Sequence, residues 1–305
     1  MSLIEKRYKG VVVPMISPFH YDFSVDAEAA AQISDAISSS GAAPFLFGST
    51  GEGPSMSLKQ KEVLIHSVVQ AVNKSTLVYA GISSNSLADA IDEGTLFARC
   101  GADVLVATLP YYYPVDEQQM TSFFEQLADK LPLPLILYNM PAMVKRSIPL
   151  EIAEKLSNHP NIVGMKDSER DEDRLMKSID RWKGRKDFSF LIGWAAMSSK
   201  GLQAGADGIV PGTGNFSAGL YVSLYQAVKN GDYTNADKLQ ELTNQLSALY
   251  QKGRDLSHSI PALKQIMEIK ALCQAQVLSP MYPMSKEEKE EFVSFIETEF
   301  KKLNL

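Results

Sequence analysis

The sequence predicts a closed (β/α)8 barrel, a TIM barrel, followed by a C-terminal helical extension. Eight short apolar runs alternate in order with eight amphipathic stretches. The apolar runs are continuous instead of alternating with polar residues, as strands covered on both faces must be. The turn after the first run, Met15-Ile16-Ser17-Pro18-Phe19, has no glycine, whereas a doubly wound dinucleotide-binding sheet would carry a glycine-rich fingerprint there. The division expected is a barrel over residues 1–230 and three further helices over 231–305.

The first strand reads over Gly10–Ser17, and the first helix over Asp26–Ser40, ended by Gly41. Pro44–Thr50 is the second strand, and Ser57 is a good N-cap for a helix to Asn73. Thr76–Ser83 leads into a helix over Ser86–Cys100 stopped by Gly101, and Val104–Pro110 into one over Glu117–Lys130. Pro134–Pro141 precedes a helix over Pro149–Ser157, and Ile162–Glu169 one over Asp171–Trp182. Phe188–Trp194 precedes Ala196–Ala204, and Gly208–Gly214 a helix from about Ala218 to Lys229. Helical patterns over Asn235–Lys252, Ser259–Gln274 and Lys286–Lys302 complete the chain. The charged run from Ser285 to Glu291 is the capped, solvated first turn of the last helix.

Composition narrows the function. The 305 residues are 45% hydrophobic and 22% charged, which is the balance of a water-soluble globular chain. A net charge of −6 argues against a nucleic-acid or anionic-membrane surface. Cys100 and Cys273 form no CxxC pair, and the four histidines show no HxH or HxxxH spacing. Neither a disulfide framework nor a metal site is expected, and a reducing cytoplasm fits. No apolar run reaches membrane-spanning length, and MSLIEKRYKG is not a signal peptide.

In a barrel of this kind the C-terminal strand ends form the active face, and here they collect polar residues. Strand six, Asn161-Ile162-Val163-Gly164-Met165-Lys166-Asp167-Ser168-Glu169, ends an apolar run on a lysine. A lysine there ordinarily keeps its head in water. A desolvated one has a lowered pKa and becomes a nucleophile toward a carbonyl carbon. Tyr138 ends the preceding strand, about 4.8 Å away if both side chains face inward, where a phenol can shuttle a proton. A tyrosine merely satisfied by a carbonyl would give the same sequence. Gly48-Ser49-Thr50-Gly51-Glu52 offers hydroxyls and accessible backbone N–H groups suited to a carboxylate, or simply a tight capped turn. Glu52 reads as structural, because its charge would repel an anionic substrate. The Tyr111-Tyr112-Tyr113 run fits an aromatic rim or a subunit contact.

Gly48–Glu52, Pro110–Tyr112, Tyr138-Asn139-Met140-Pro141 and Gly164-Met165-Lys166-Asp167 recur in this order over nearly the whole chain. Together they resemble the dihydrodipicolinate synthase / N-acetylneuraminate lyase family of class I, Schiff-base-forming enzymes. The resemblance implies that Lys166 forms an imine with the keto carbon of pyruvate or another 2-oxo acid. It implies that Tyr138 is the acid/base and Ser49 a relay hydroxyl. Thr50 and the amides between Gly48 and Gly51 would hold the carboxylate, and Val210 would line the keto-acid pocket. Tyr112 would be a rim residue that reaches a neighbouring subunit's site in a homotetramer built as a dimer of dimers. No cofactor or metal is implied.

Two departures bear on substrate. Synthases of the family usually carry a carboxylate-binding arginine two residues after the YNxP motif, where this chain has Met143; Arg146 lies three residues on. Sialic acid lyases place acidic residues after strand seven, where this chain has Gly193-Trp194-Ala195-Ala196. Met143 and Gly193 are therefore the substrate-contacting positions that set this chain apart. Gly51-Glu52-Gly53-Pro54-Ser55 looks more like 2-keto-3-deoxy sugar-acid aldolases, and aldol cleavage of such an acid to pyruvate and an aldehyde is the expected activity. The alternatives are dihydrodipicolinate synthase, a sugar-acid dehydratase, N-acetylneuraminate lyase and a non-catalytic 2-oxo acid binder.

Overall fold

The computed structural model describes residues 6–303. Eight parallel strands pair in sequence order and close on themselves. They are β1 (Gly10–Pro14), β2 (Ala43–Leu46), β3 (Tyr79–Ile82), β4 (Val104–Thr108), β5 (Leu135–Asn139), β6 (Ile162–Asp167), β7 (Ser189–Ile192) and β8 (Gly208–Ile209). Between and after them run α1 (Ala27–Ser39), α2 (Leu58–Val72), α3 (Leu87–Cys100), α4 (Glu117–Lys130), α5 (Pro141–Val144), α6 (Leu150–Leu156), α7 (Glu172–Trp182), α8 (Ser198–Ala204) and α9 (Gly214–Lys229). The chain closes with α10 (Tyr233–Gln251), α11 (Leu256–Ile269) and α12 (Lys286–Leu303). This is the expected (β/α)8 barrel with C-terminal helices. No helix among the described residues is long and apolar enough to cross a membrane.

Residues alternate between two apolar layers, because successive strand side chains point to opposite faces. Val12, Ala43, Phe45, Tyr79, Val104, Val106, Ile136, Tyr138, Leu191 and Val210 fill the interior. Their neighbours, such as Val13, Leu46, Leu105, Leu137, Met165 and Ile192, pack outward in a second cluster that also takes in Leu246, Leu263 and Ile296 of the last three helices.

Every strand is shorter than its apolar run. Only part of each run makes ladder bonds, and its C-terminal remainder bends into the loops at the mouth. β2 stops at Leu46 because Phe47 turns left-handed at φ 59°. β8 keeps two residues, and the Asn215 side chain continues the seam: its Oδ1 accepts from Ile16 N at 2.8 Å, and its Nδ2 donates to Pro14 O at 2.9 Å.

Three helices differ from expectation for local reasons. α9 begins four residues early, across a break at Ser217, and α11 starts at Leu256 because Asp255 caps it. The end of α11 comes at Ile269, just before Ala271 adopts φ 55°. α5 was not foreseen, because Pro141 reads as a strand terminator while also suiting a helix first turn.

Candidate active site

The site is built on one rung. Tyr138 and Lys166 are register partners on β5 and β6, and Asn139 pairs with Asp167 on the next rung. Alternation sends Tyr138 and Lys166 inward and their followers outward. Lys166 is 5% exposed and Tyr138 4%, and the Lys166 Nζ lies 3.8 Å from the Tyr138 ring centroid. Burial pushes the Lys166 ammonium below its usual range, against an opposing pull from Tyr138. Burial also raises the phenol, but the Lys166 charge and hydrogen bonds with Ser49, Lys166 and Ser168 outweigh it and bring Tyr138 down. Both groups are thus held below their ordinary values, so the amine gives up its proton more readily than a solvated lysine does. In one form of the pair the amine is neutral and nucleophilic beside a protonated phenol.

Outward-facing residues clamp this rung. Asn139 Nδ2 donates to Asp167 Oδ1 at 2.8 Å and to Glu169 Oε2 at 2.9 Å, while Asn139 Oδ1 accepts from Ile148 N at 2.9 Å. Arg174 on α7 donates from Nε to Asp167 Oδ2 at 2.7 Å and from Nη2 to Ile148 O at 2.8 Å. The network satisfies two buried polar side chains and ties the loop after α5 to both strands.

Two residues omitted by sequence reasoning lie against the same pair. Phe45 on β2 is 1% exposed, with its ring centroid 4.8 Å from Lys166 Nζ and its plane at 75° to the Tyr138 ring, 6.4 Å away. Its signal was weak, since an aromatic in an apolar strand reads as core filling. Ser168, two residues beyond Lys166, hydrogen-bonds the phenol. A Cβ at Gly193 would collide with Ser168 Oγ and stand 2.9 Å from the Asp167 carbonyl oxygen, so glycine there leaves room for that hydroxyl.

The loop after β2 brings half-buried Ser49 and Thr50 to the mouth, with Gly48 and Gly51 buried. Thr50 Oγ1 is 3.9 Å from where a Cβ on Gly212 would sit, which puts it beside the loop after β8. Val210 is buried in the interior cluster with Tyr138 and Phe45. Glu52 turns away from the mouth: at φ 56° its fully buried carboxylate pairs with Lys264 of α11 and accepts from Leu278 N at 2.7 Å. Burial raises the Glu52 carboxyl and lowers the Lys264 ammonium.

Met143 sits on α5, 44% exposed, and Arg146 is exposed on the loop that follows. Tyr112 is 73% exposed on the rim, its backbone N–H donating to Asn85 Oδ1 at 3.0 Å and its ring edge-on to Tyr113. Within one chain it stands apart from the buried pair.

Residues 7–299 match the dihydrodipicolinate synthetase family. The probable 2-dehydro-3-deoxy-D-pentonate aldolase YjhH of Escherichia coli K12 is 30% identical over 248 residues, 80% of this chain and 82% of that protein. The dihydrodipicolinate synthase structure from Bacteroides thetaiotaomicron superposes with a TM-score of 0.89 at 28% identity, covering 96% of this chain and 99% of that one. YagE of E. coli K12, solved in complex with pyruvate, gives a TM-score of 0.88 at 25% identity over 95% of this chain and 98% of that one.

Proposed function

The chain belongs to the dihydrodipicolinate synthetase family of Schiff-base lyases, and from that premise we propose that it reversibly cleaves a 2-keto-3-deoxy sugar acid to pyruvate and an aldehyde. The observation that carries this reading is the desolvated Lys166 amine in contact with the Tyr138 phenol at the top of an apolar barrel interior.

Neutral Lys166 adds to the C2 carbonyl, and the carbinolamine hydroxyl leaves as water with the proton of Tyr138, giving the protonated imine and a phenolate. Thr50 and the amides of Gly48–Gly51 hold the C1 carboxylate, and Val210 lines the pocket for the three-carbon unit. The C3–C4 bond breaks as the C4 hydroxyl loses its proton to Tyr138, and its electron pair passes into the iminium to give an enamine. The aldehyde leaves, the enamine is protonated at C3, and water releases pyruvate and regenerates the amine. Ser49, hydrogen-bonded to the phenol, relays the proton onward. The imine is itself the electron sink, so the scheme uses no metal or organic cofactor. Residues 1–230 carry this chemistry, and 231–305 buttress it from α11 through Lys264. Exposed Tyr112 fits a partner's site in a homotetramer, and the cytoplasm is the compartment that suits a chain read as disulfide-free.

The aldolase reading is favoured over condensation with aspartate semialdehyde because exposed Met143 offers a thioether where a carboxylate-binding guanidinium would be wanted. Borohydride with pyruvate should leave a reduced adduct on Lys166, found by peptide mass spectrometry; an unmodified lysine would mark a non-catalytic binder. A panel of 2-keto-3-deoxy acids should release pyruvate, with little turnover of pyruvate plus aspartate semialdehyde; the reverse ranking would make the chain a synthase. Tyr138→Phe should still form the adduct while kcat drops by about 10²–10⁴-fold. Wild-type turnover in that variant would remove the phenol from the mechanism.

A further inference from the structure

The Phe45 side chain stands against the reacting lysine and has no hydrogen-bonding group of its own. It reaches inward from β2, while Lys166 and Tyr138 come from β6 and β5, so the ring closes the pocket from across the barrel. The Lys166 Nζ faces it at 4.8 Å from the centroid, within cation–π range. Gly48 lies close to the ring: a Cβ at that position would lie 2.9 Å from Phe45 Cε1 and 3.1 Å from Cζ. Glycine at 48 is thus matched to the Phe45 ring. We propose that Phe45 is a positioning residue for the reaction, an aromatic floor that seats the Lys166 amine opposite the keto carbon and keeps water from beneath it, with Gly48 glycine because any side chain would unseat that floor.

The inference rests on Lys166 being the reacting amine, and its physical basis is the balance of two effects. Excluding water disfavours the charged amine, whereas the π face stabilises it. Among groups packed around Lys166, the titratable one that acts on it is Tyr138 of β5. Asp167, next on β6, is turned outward to Arg174, and Phe45 of β2, Leu191 of β7 and Val210 just after β8 are apolar. Changing Phe45 therefore alters hydration and π contact while leaving the charges around the amine in place.

The experiment titrates Lys166 directly by measuring its rate of acylation by acetic anhydride against pH, with peptide mass spectrometry as the readout. Borohydride–pyruvate trapping is run in parallel. Phe45→Ala and Gly48→Ala should admit water and shift the acylation profile of Lys166 to higher pH by about one unit, which at fixed pH is a tenfold loss of free amine. Phe45→Leu keeps the floor dry but removes the π face, and should shift the profile the other way. Profiles that superimpose on wild type in Phe45→Leu and Gly48→Ala overturn the proposal, even if Phe45→Ala fails to fold. Absence of a pyruvate adduct in the wild type would instead defeat the imine reading, while the acylation profiles would still report on the floor.

Discussion

Lys166→Met is expected to abolish covalent capture of pyruvate and to lower kcat/KM by about 10⁴-fold or more, as loss of a covalent nucleophile does. The thioether matches the length of the lysine stem and suits the interior next to Phe45 and Tyr138. Without a buried amine to desolvate, the variant should melt at the same temperature as wild type or higher. Intact-mass analysis after borohydride and a thermal scan check both halves. Residual adduct would place the reacting amine elsewhere, and a collapsed fold would show that Lys166 holds the barrel together.

Lys264→Met should destabilise the chain by about 3–5 kcal/mol, the cost of stranding a buried charge. Glu52 and Lys264 are both wholly enclosed, and the carboxylate left behind has Leu278 N as its remaining hydrogen-bond donor. The double variant Lys264→Met/Glu52→Gln removes both charges and should recover most of the loss. Urea midpoints decide: equal midpoints for the single and double variants would mean that the carboxylate left behind carries no penalty. The left-handed Glu52 ends the loop that bears Ser49 and Thr50, so the single variant should also raise KM for the 2-oxo acid.

The barrel was legible because eight continuous apolar runs in order admit few other topologies. That Lys166 and Tyr138 lie side by side was legible because each closes an apolar run on adjacent strands, while their roles come from the family resemblance. Strand limits were not, since pairing across the mouth, and not composition, decides where a ladder stops; the turn at Phe47 leaves no mark in the sequence. Phe45 was hidden for the opposite reason to Lys166, being the residue type that an interior strand ordinarily carries. The link between Glu52 and Lys264 joins distant parts of the chain, and neither residue's neighbours hint at the other. Tyr112 reads as rim in both views.

The short helix α5 carries Met143 outward, while the segment just beyond it is moored at Ile148 to Asn139 and Arg174. On the proposed reading, selectivity and reactivity hang on separate anchors. A change at 143 would then meet a different aldehyde while the amine and phenol below keep their mutual aim, so one scaffold would explore new substrates without relearning its chemistry.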